Sequence, residues 1–215
     1  MLFAGNAGGL AFFADTWEWD GTEWTQMADT GPTARQGHAI AFHSKNKRVV
    51  LFGGYTNTNQ TGQYPADTWS WDGTEWTQEQ DTGPAGRELF GLAYDAVRDR
   101  LILFGGYGNG GTLNDTWEWD GARWTQVADT GPDKRYGHKM VFDGTRVLLF
   151  GGVASGYVGD TWSWDGQHWT KIQDMGVAPR AFSAMTYDSN RGRSVLFGGS
   201  NMSGVLGDTW ELYEH

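Results

Sequence analysis

The chain has 215 residues, a formal net charge of −10 and no cysteine, so disulfides and thiolate chemistry are excluded. Its acidic residues are scattered, which argues against a nucleic-acid footprint or an anionic membrane surface. No apolar run approaches the ~18 residues of a membrane-spanning helix. The first eleven residues lack a charged start and a sustained apolar stretch and are not read as a signal peptide.

A phrase recurs along the chain. Asp-Thr-Trp-x-Trp-Asp-Gly-x-x-Trp-Thr begins at Asp15, Asp67, Asp115 and Asp160, with a shortened copy at Asp208, at spacings of 45 to 52 residues. Leu-Phe-Gly-Gly keeps step at Leu51, Leu103, Leu149 and Leu196, with a degenerate copy at Leu2 to Gly5. All thirteen tryptophans lie inside the first phrase, so the tryptophan content is architectural rather than the mark of one aromatic pocket. Periods of this size belong to propeller blades or solenoid units.

Taken in order, the chain opens on a partial unit, 1–30, that holds only the later strands of the repeat. The first full unit spans 35–80. Gly37 to Phe42 alternates small and large residues and is predicted as strand a. The basic stretch His43 to Arg48 is a hairpin connection, and Val49 to Phe52 is an apolar strand b of the kind covered on both faces. After Gly53-Gly54 a variable connection, Tyr55 to Ala66, leads to strand c at Asp67 to Trp71. Asp72-Gly73 predicts a type I′ turn, because both residues tolerate positive φ, and Glu75 to Gln80 is strand d. Further units follow at 87–128 and 135–174, and a partial a-b-c unit occupies 180–215.

Four antiparallel strands per repeat with no helical period describe an all-β propeller blade. The sequence resembles the kelch-repeat family. Its double glycine stands at Gly53-Gly54, Gly105-Gly106, Gly151-Gly152 and Gly198-Gly199, its Arg-x-Gly-His opening at Arg35 to His38 and Arg135 to His138, and its late tryptophan at Trp24, Trp76, Trp124 and Trp169. The expected fold is a single kelch-type β-propeller domain, 1–215, of about five blades, the first lacking strand a and the last lacking strand d. A compact five-bladed ring is the preferred closure. Exchange between subunits comes next, and a fragment of a larger propeller is the third arrangement. An open edge exposes unpaired backbone groups that invite association.

The resemblance implies that the b–c and d–a connections share one face of the propeller, and the variable connections of this sequence are the b–c ones, where binding usually resides. Arg35, Arg87, Arg135 and Arg180 hold one repeat position at the entry to the innermost strand and are expected to ring the channel mouth, where guanidinium groups suit a carboxylate or phosphate. Their recurrence in every repeat favours the other reading, in which each pairs with a strand-c carboxylate such as Asp67 or Asp115 and knits neighbouring blades together. Residues that depart from the repeat mark the mouth more specifically: Glu88, Leu89, Phe90, Tyr136, Ala181 and Phe182, with Tyr55 and Tyr107 directly after the double glycines and Phe12, Phe13, Tyr64 and Tyr157 in the variable connections. His38 and His138 share a strand side with apolar neighbours and read as packed between blades.

The expected function is a non-catalytic binding or scaffolding module that takes a protein segment or a glycan on this face. Its alternatives are a sugar-processing, epimerase-like enzyme of the kelch fold and a propeller fragment that self-assembles through open blade edges. No cofactor and no metal site is expected: the copper oxidases of the fold need a Tyr–Cys cross-link, and the histidines show no ligand spacing. No nucleic-acid or membrane partner is expected either, while homo-oligomerisation through the incomplete terminal blades is.

Overall fold

The computed structural model describes residues 1–8, 11–58, 61–172 and 176–212. Among them the structure is all-β, with five blade sheets in chain order. Blade 1 pairs Leu2–Asn6, Phe12–Trp19 and Trp24–Ala28. Blade 2 orders Ala39–His43, Arg48–Phe52, Thr68–Trp71 and Trp76–Gln80. Blade 3 places Gly91–Asp95 and the short Arg87–Glu88 beside Arg100–Gly108, followed by Gly111–Trp119 and Trp124–Ala128. Blade 4 uses Lys139–Phe142, Val147–Phe150, Thr161–Trp164 and Trp169–Ile172. Blade 5 ends on Ala184–Asp188, Arg193–Asn201 and Gly204–Leu212. Every neighbouring pair is antiparallel, and the incomplete b-c-d and a-b-c ends match the sequence reading. Tyr213, expected to close strand c of blade 5, and residues 173–174, expected to close blade 4, lie outside the described residues.

Two local expectations change. The Asp-Gly connection between strands c and d is not a two-residue type I′ turn. Trp71 pairs with Trp76, so four residues intervene, and only the glycine has positive φ, 103° at Gly73. The Asp72 carboxylate accepts the N–H groups of Thr74 and Glu75, folding the loop with a side chain instead of a second left-handed residue. Much of the variable connection at 107–114 and at 200–207 is strand. In blades 3 and 5 the b and c strands continue as a hairpin beyond a register shift at the double glycine.

The core lies between blades rather than within them. One face of each sheet offers the strand-b phenylalanine, and the next blade answers with its strand-b leucine and two tryptophans. Val50 and Phe52 pack on Leu101, Leu103, Trp119 and Trp124; Ile102 and Phe104 pack on Val147, Leu149 and Trp164. The phenylalanine meets the strand-d indole edge-on or tilted, with centroids 5.0 Å apart for Phe3 and Trp76, 5.3 Å for Phe52 and Trp124, and 5.2 Å for Phe104 and Trp169. The indole N–H then donates to the strand-c threonine of the preceding blade: Trp76 to Thr16, Trp124 to Thr68 and Trp169 to Thr116, at 2.8 to 2.9 Å. Aromatic pairs of this geometry contribute about 0.5–1.5 kcal/mol each beyond the apolar area they bury.

The outermost faces lack that cover. On blade 1, Leu2 is 46% exposed and Trp24 49%, whereas the equivalent Leu103 and Trp124 are 0% and 7%. On blade 5, Phe197 is 54% exposed and Thr209 is exposed. The five blades therefore form an arc with two open faces, not the compact closed ring preferred from the sequence.

Candidate functional site

The repeated arginine is a structural rivet. Arg35 spends its guanidinium on Thr33 O and Oγ1, Gly53 O and both carboxylate oxygens of Asp67. Arg87 holds Asp115 at 2.5 and 2.8 Å, Arg135 holds Asp160, and Arg180 holds Asp208, each with a glycine carbonyl of its own blade. All four arginines are at most 1% exposed. Burial on its own raises the carboxyls of Asp67, Asp115 and Asp160, but the arginine hydrogen bonds and charge outweigh it and hold them below the ordinary range. The Asp208 carboxyl is held down chiefly by hydrogen bonds from Arg180 and Trp210. The expected ring of ligand-facing guanidiniums is thus turned inward, because a strand-c carboxylate of the same blade lies within bidentate reach.

The arginine backbone does join blades. Its carbonyl accepts the N–H of the second glycine of the preceding repeat: Gly54 to Arg87, Gly106 to Arg135 and Gly152 to Arg180, each 2.8 Å. Two residues further on, a second chain of hydrogen bonds circles the mouth, from Leu89 N to Gly37 O, Gly137 N to Leu89 O and Phe182 N to Gly137 O, again 2.8 Å each. This position requires left-handed backbone, with φ of 64° at Gly37 and 67° at Gly137. Leu89 and Phe182 adopt it at 56° and 58° without the freedom of glycine, a conformation that costs of order 1 kcal/mol or more.

Behind this rim lies a cavity of about 350 Å³ lined by the strand-a residues, among them His38, Phe90, His138 and Met140. Phe90 is 6% exposed and packs on Phe52 at 5.7 Å, so it belongs to the core and not to the mouth. His38 stands edge-on to Phe3 and His138 to Phe104, both contacts crossing between blades. Burial, followed by the charge of Arg35, pushes the His38 imidazole down to about 4; burial and then Arg135 push His138 to about 3. Both are neutral packing residues at neutral pH.

The remaining candidates come together. Phe12, Tyr55, Tyr64, Tyr107, Tyr136 and Phe182 form a continuous aromatic arc across the b–c and d–a connections of the five blades. Successive centroids are 6.1, 5.3, 6.2, 5.9 and 6.3 Å apart. Tyr107 is 40% exposed and Phe182 46%. The arc is positioned by the scaffold: Gln36 bridges Tyr55, Glu88 pairs with Tyr107, and Tyr136 bridges Val153, so the residue after each arginine is fixed beside the residue after the double glycine. Gly137 is needed here, since a Cβ on it would lie 2.7 Å from the Phe182 ring. Glu88 is half-buried within the arc, and burial raises its carboxyl above the ordinary range. Tyr64 is also raised, first by burial and then by the charge of Glu88.

Phe12 and Tyr64 were visible in the sequence as loop aromatics without a defined role; only the fold joins them to the arc. Nothing in the sequence signals the left-handed backbone of Leu89 and Phe182 except alignment with the glycines of the sister repeats. Among the described residues no group of three or more His, Asp or Glu side chains is arranged to hold a metal.

Interlocked four-stranded blades, arginine rivets after a double glycine and a loop face bearing the irregular residues define a kelch-type propeller module. The family model for the KLHDC2/KLHL20/DRC7 Kelch-repeats domain matches residues 3–199, and the chain belongs to this kelch-repeat family. A search of curated proteins gave no match. Kelch domains generally bind protein partners, and the fold fits a protein-binding or scaffolding module.

Proposed function

We propose that the chain is a non-catalytic binding module that takes an extended protein segment along the aromatic arc of its b–c/d–a face. The observation that carries this reading is the continuity of the arc: six rings from five connections, each within 6.3 Å of the next, on a scaffold that demands none of them. Flat rings with phenolic hydroxyls provide apolar contact area and hydrogen bonds at low entropic cost, the combination found in recognition surfaces. With the four repeat arginines satisfied inside the blades, their guanidiniums are not available to an acidic ligand. An epimerase would need an acid and a base facing each other, and among the described residues Glu88 is paired with no second titratable side chain by hydrogen bond or ion pair.

Selection from a displayed peptide library, run beside a glycan array, tests the reading. Peptides enriched on the native chain should lose at least about tenfold in affinity with Tyr107→Ala or Tyr136→Ala, as truncation of an aromatic anchor generally causes. Enriched peptides indifferent to both substitutions would overturn it, and enrichment of glycans alone would transfer the arc to sugar binding.

A second reading, self-association, is favoured by the two open faces. Blade 5 offers Phe197 and Thr209, the positions that elsewhere receive a tryptophan, and blade 1 offers Trp19 and Trp24 already paired at 5.6 Å. Light scattering on the chain should then give more than the single-chain mass. Trp24→Glu and Thr209→Arg should each restore that mass, and a mixture of the two variants should recover pairs, since one intact interface remains. A native chain that stays monomeric ends this reading.

A further inference from the structure

The carboxylate within the arc points to the chemistry of its ligand. Glu88 stands where the sister repeats place Gln36, Tyr136 and Ala181, so the scaffold does not require a charge there. It forms no hydrogen bond or ion pair with another side chain among the described residues, although it is half-buried. The adjacent Arg87 does not neutralise it. Arg87 and Glu88 are consecutive in one short strand and project to opposite sides, and the Arg87 guanidinium is held by Asp115 and Gly105. Glu88 instead pairs directly across the strand with Tyr107, which puts both side chains on one face, and Tyr64 links Tyr107 to Tyr55. A carboxylate partly withdrawn from water without a cation is costly, and three electron-rich rings beside it attract positive charge on their own account.

We propose that Glu88, with Tyr55, Tyr64 and Tyr107, forms a subsite for a cationic side chain, an arginine or lysine of the segment bound along the arc. The inference rests on the arc being the binding face. A cation there would pair with the carboxylate and lie against the rings, and the adjacent Arg87 guanidinium is already neutralised by Asp115. The chain's net charge of −10 favours approach of a positively charged ligand.

The test uses capped tripeptides as probes: acetyl-Gly-Arg-Gly-amide, acetyl-Gly-Lys-Gly-amide and acetyl-Gly-Glu-Gly-amide, titrated while the tyrosine ring resonances are followed by NMR. The cationic probes should shift tyrosine signals saturably and the acidic one should not. Glu88→Gln preserves shape and hydrogen-bonding capacity while removing the charge. It should weaken the cationic probes by about fivefold or more at low salt and leave the thermal midpoint unchanged or higher, since it removes an uncompensated charge. Equal binding of all three probes, or no loss in the Glu88→Gln chain, would overturn the subsite. Its failure is separable from failure of the arc: library peptides that still require Tyr107 but show no preference for Arg or Lys would leave the binding face in place and remove only the cation.

Discussion

Blades 2 to 4 and the two end blades carry nearly the same sequence and occupy different environments. The pair Trp119 and Trp124 sits at 5.5 Å with 48° between planes, and Trp19 and Trp24 sit at 5.6 Å with 45°. The first pair is sealed beneath blade 2 and the second faces water. The ring geometry is therefore written within each blade by the four-residue Asp-Gly loop that joins strands c and d, while burial is conferred by the neighbour. A repeat of this kind brings a preassembled half of an interface, and its stability depends on who supplies the other half. The arginine rivets follow the same division. Asp115 and Asp160 side chains are 20% and 17% exposed, but Asp208, in the last blade, is 41% exposed with the same bidentate partner geometry.

The largest expected consequence is at those rivets. Arg87→Ala leaves the Gly105 carbonyl without the Arg87 donor and the Asp115 carboxylate with only the Trp117 indole N–H in a largely dry setting, and removal of one member of a buried ion pair costs about 3–5 kcal/mol. Arg180→Ala should cost clearly less, because water reaches Asp208. Urea denaturation of the two variants measures the difference. Equal losses would mean that blade 5 is covered in solution and that the end blades are not ends.

How far these contrasts could be read beforehand depends on the range of the physics. Strand order, blade number and the incomplete termini follow from phrases repeated every 45 to 52 residues, because alternation and turn chemistry are local. The candidate site was legible only where a residue broke the repeat. Tyr55, Tyr107, Tyr136, Phe182 and Glu88 were identified in that way, and the structure gathers them on one face. Phe90 broke the repeat as well, but it fills the space against Phe52 that the first blades fill differently: His38 meets Phe3 at the equivalent place. The arginines show the limit most clearly. Their recurrence was evident, yet whether a guanidinium turns outward to a ligand or inward to a carboxylate 25 to 32 residues away is decided by tertiary distance, which the sequence does not contain. The Asp-Gly loop failed for the opposite reason, since a side-chain acceptor did what was expected of a second residue with positive φ.

A smaller effect separates the blades more finely. Thr68 and Thr161 hold the same position in strand c, and both are buried, at 0% and 1% exposed. The Thr68 hydroxyl accepts the N–H of Trp124; that of Thr161 has no hydrogen-bond partner among the described residues. Valine replaces threonine with little change of shape and keeps the β-branch that a strand favours. Thr68→Val should cost about 1–3 kcal/mol, because it strands a buried indole N–H. Thr161→Val should be neutral or stabilising by up to about 1 kcal/mol, because it removes a polar group that was desolvated without compensation. Paired denaturation curves give the sign directly. If both substitutions destabilise alike, the Thr161 hydroxyl is engaged as Thr68 is, and the interlock runs one blade further than the arc implies.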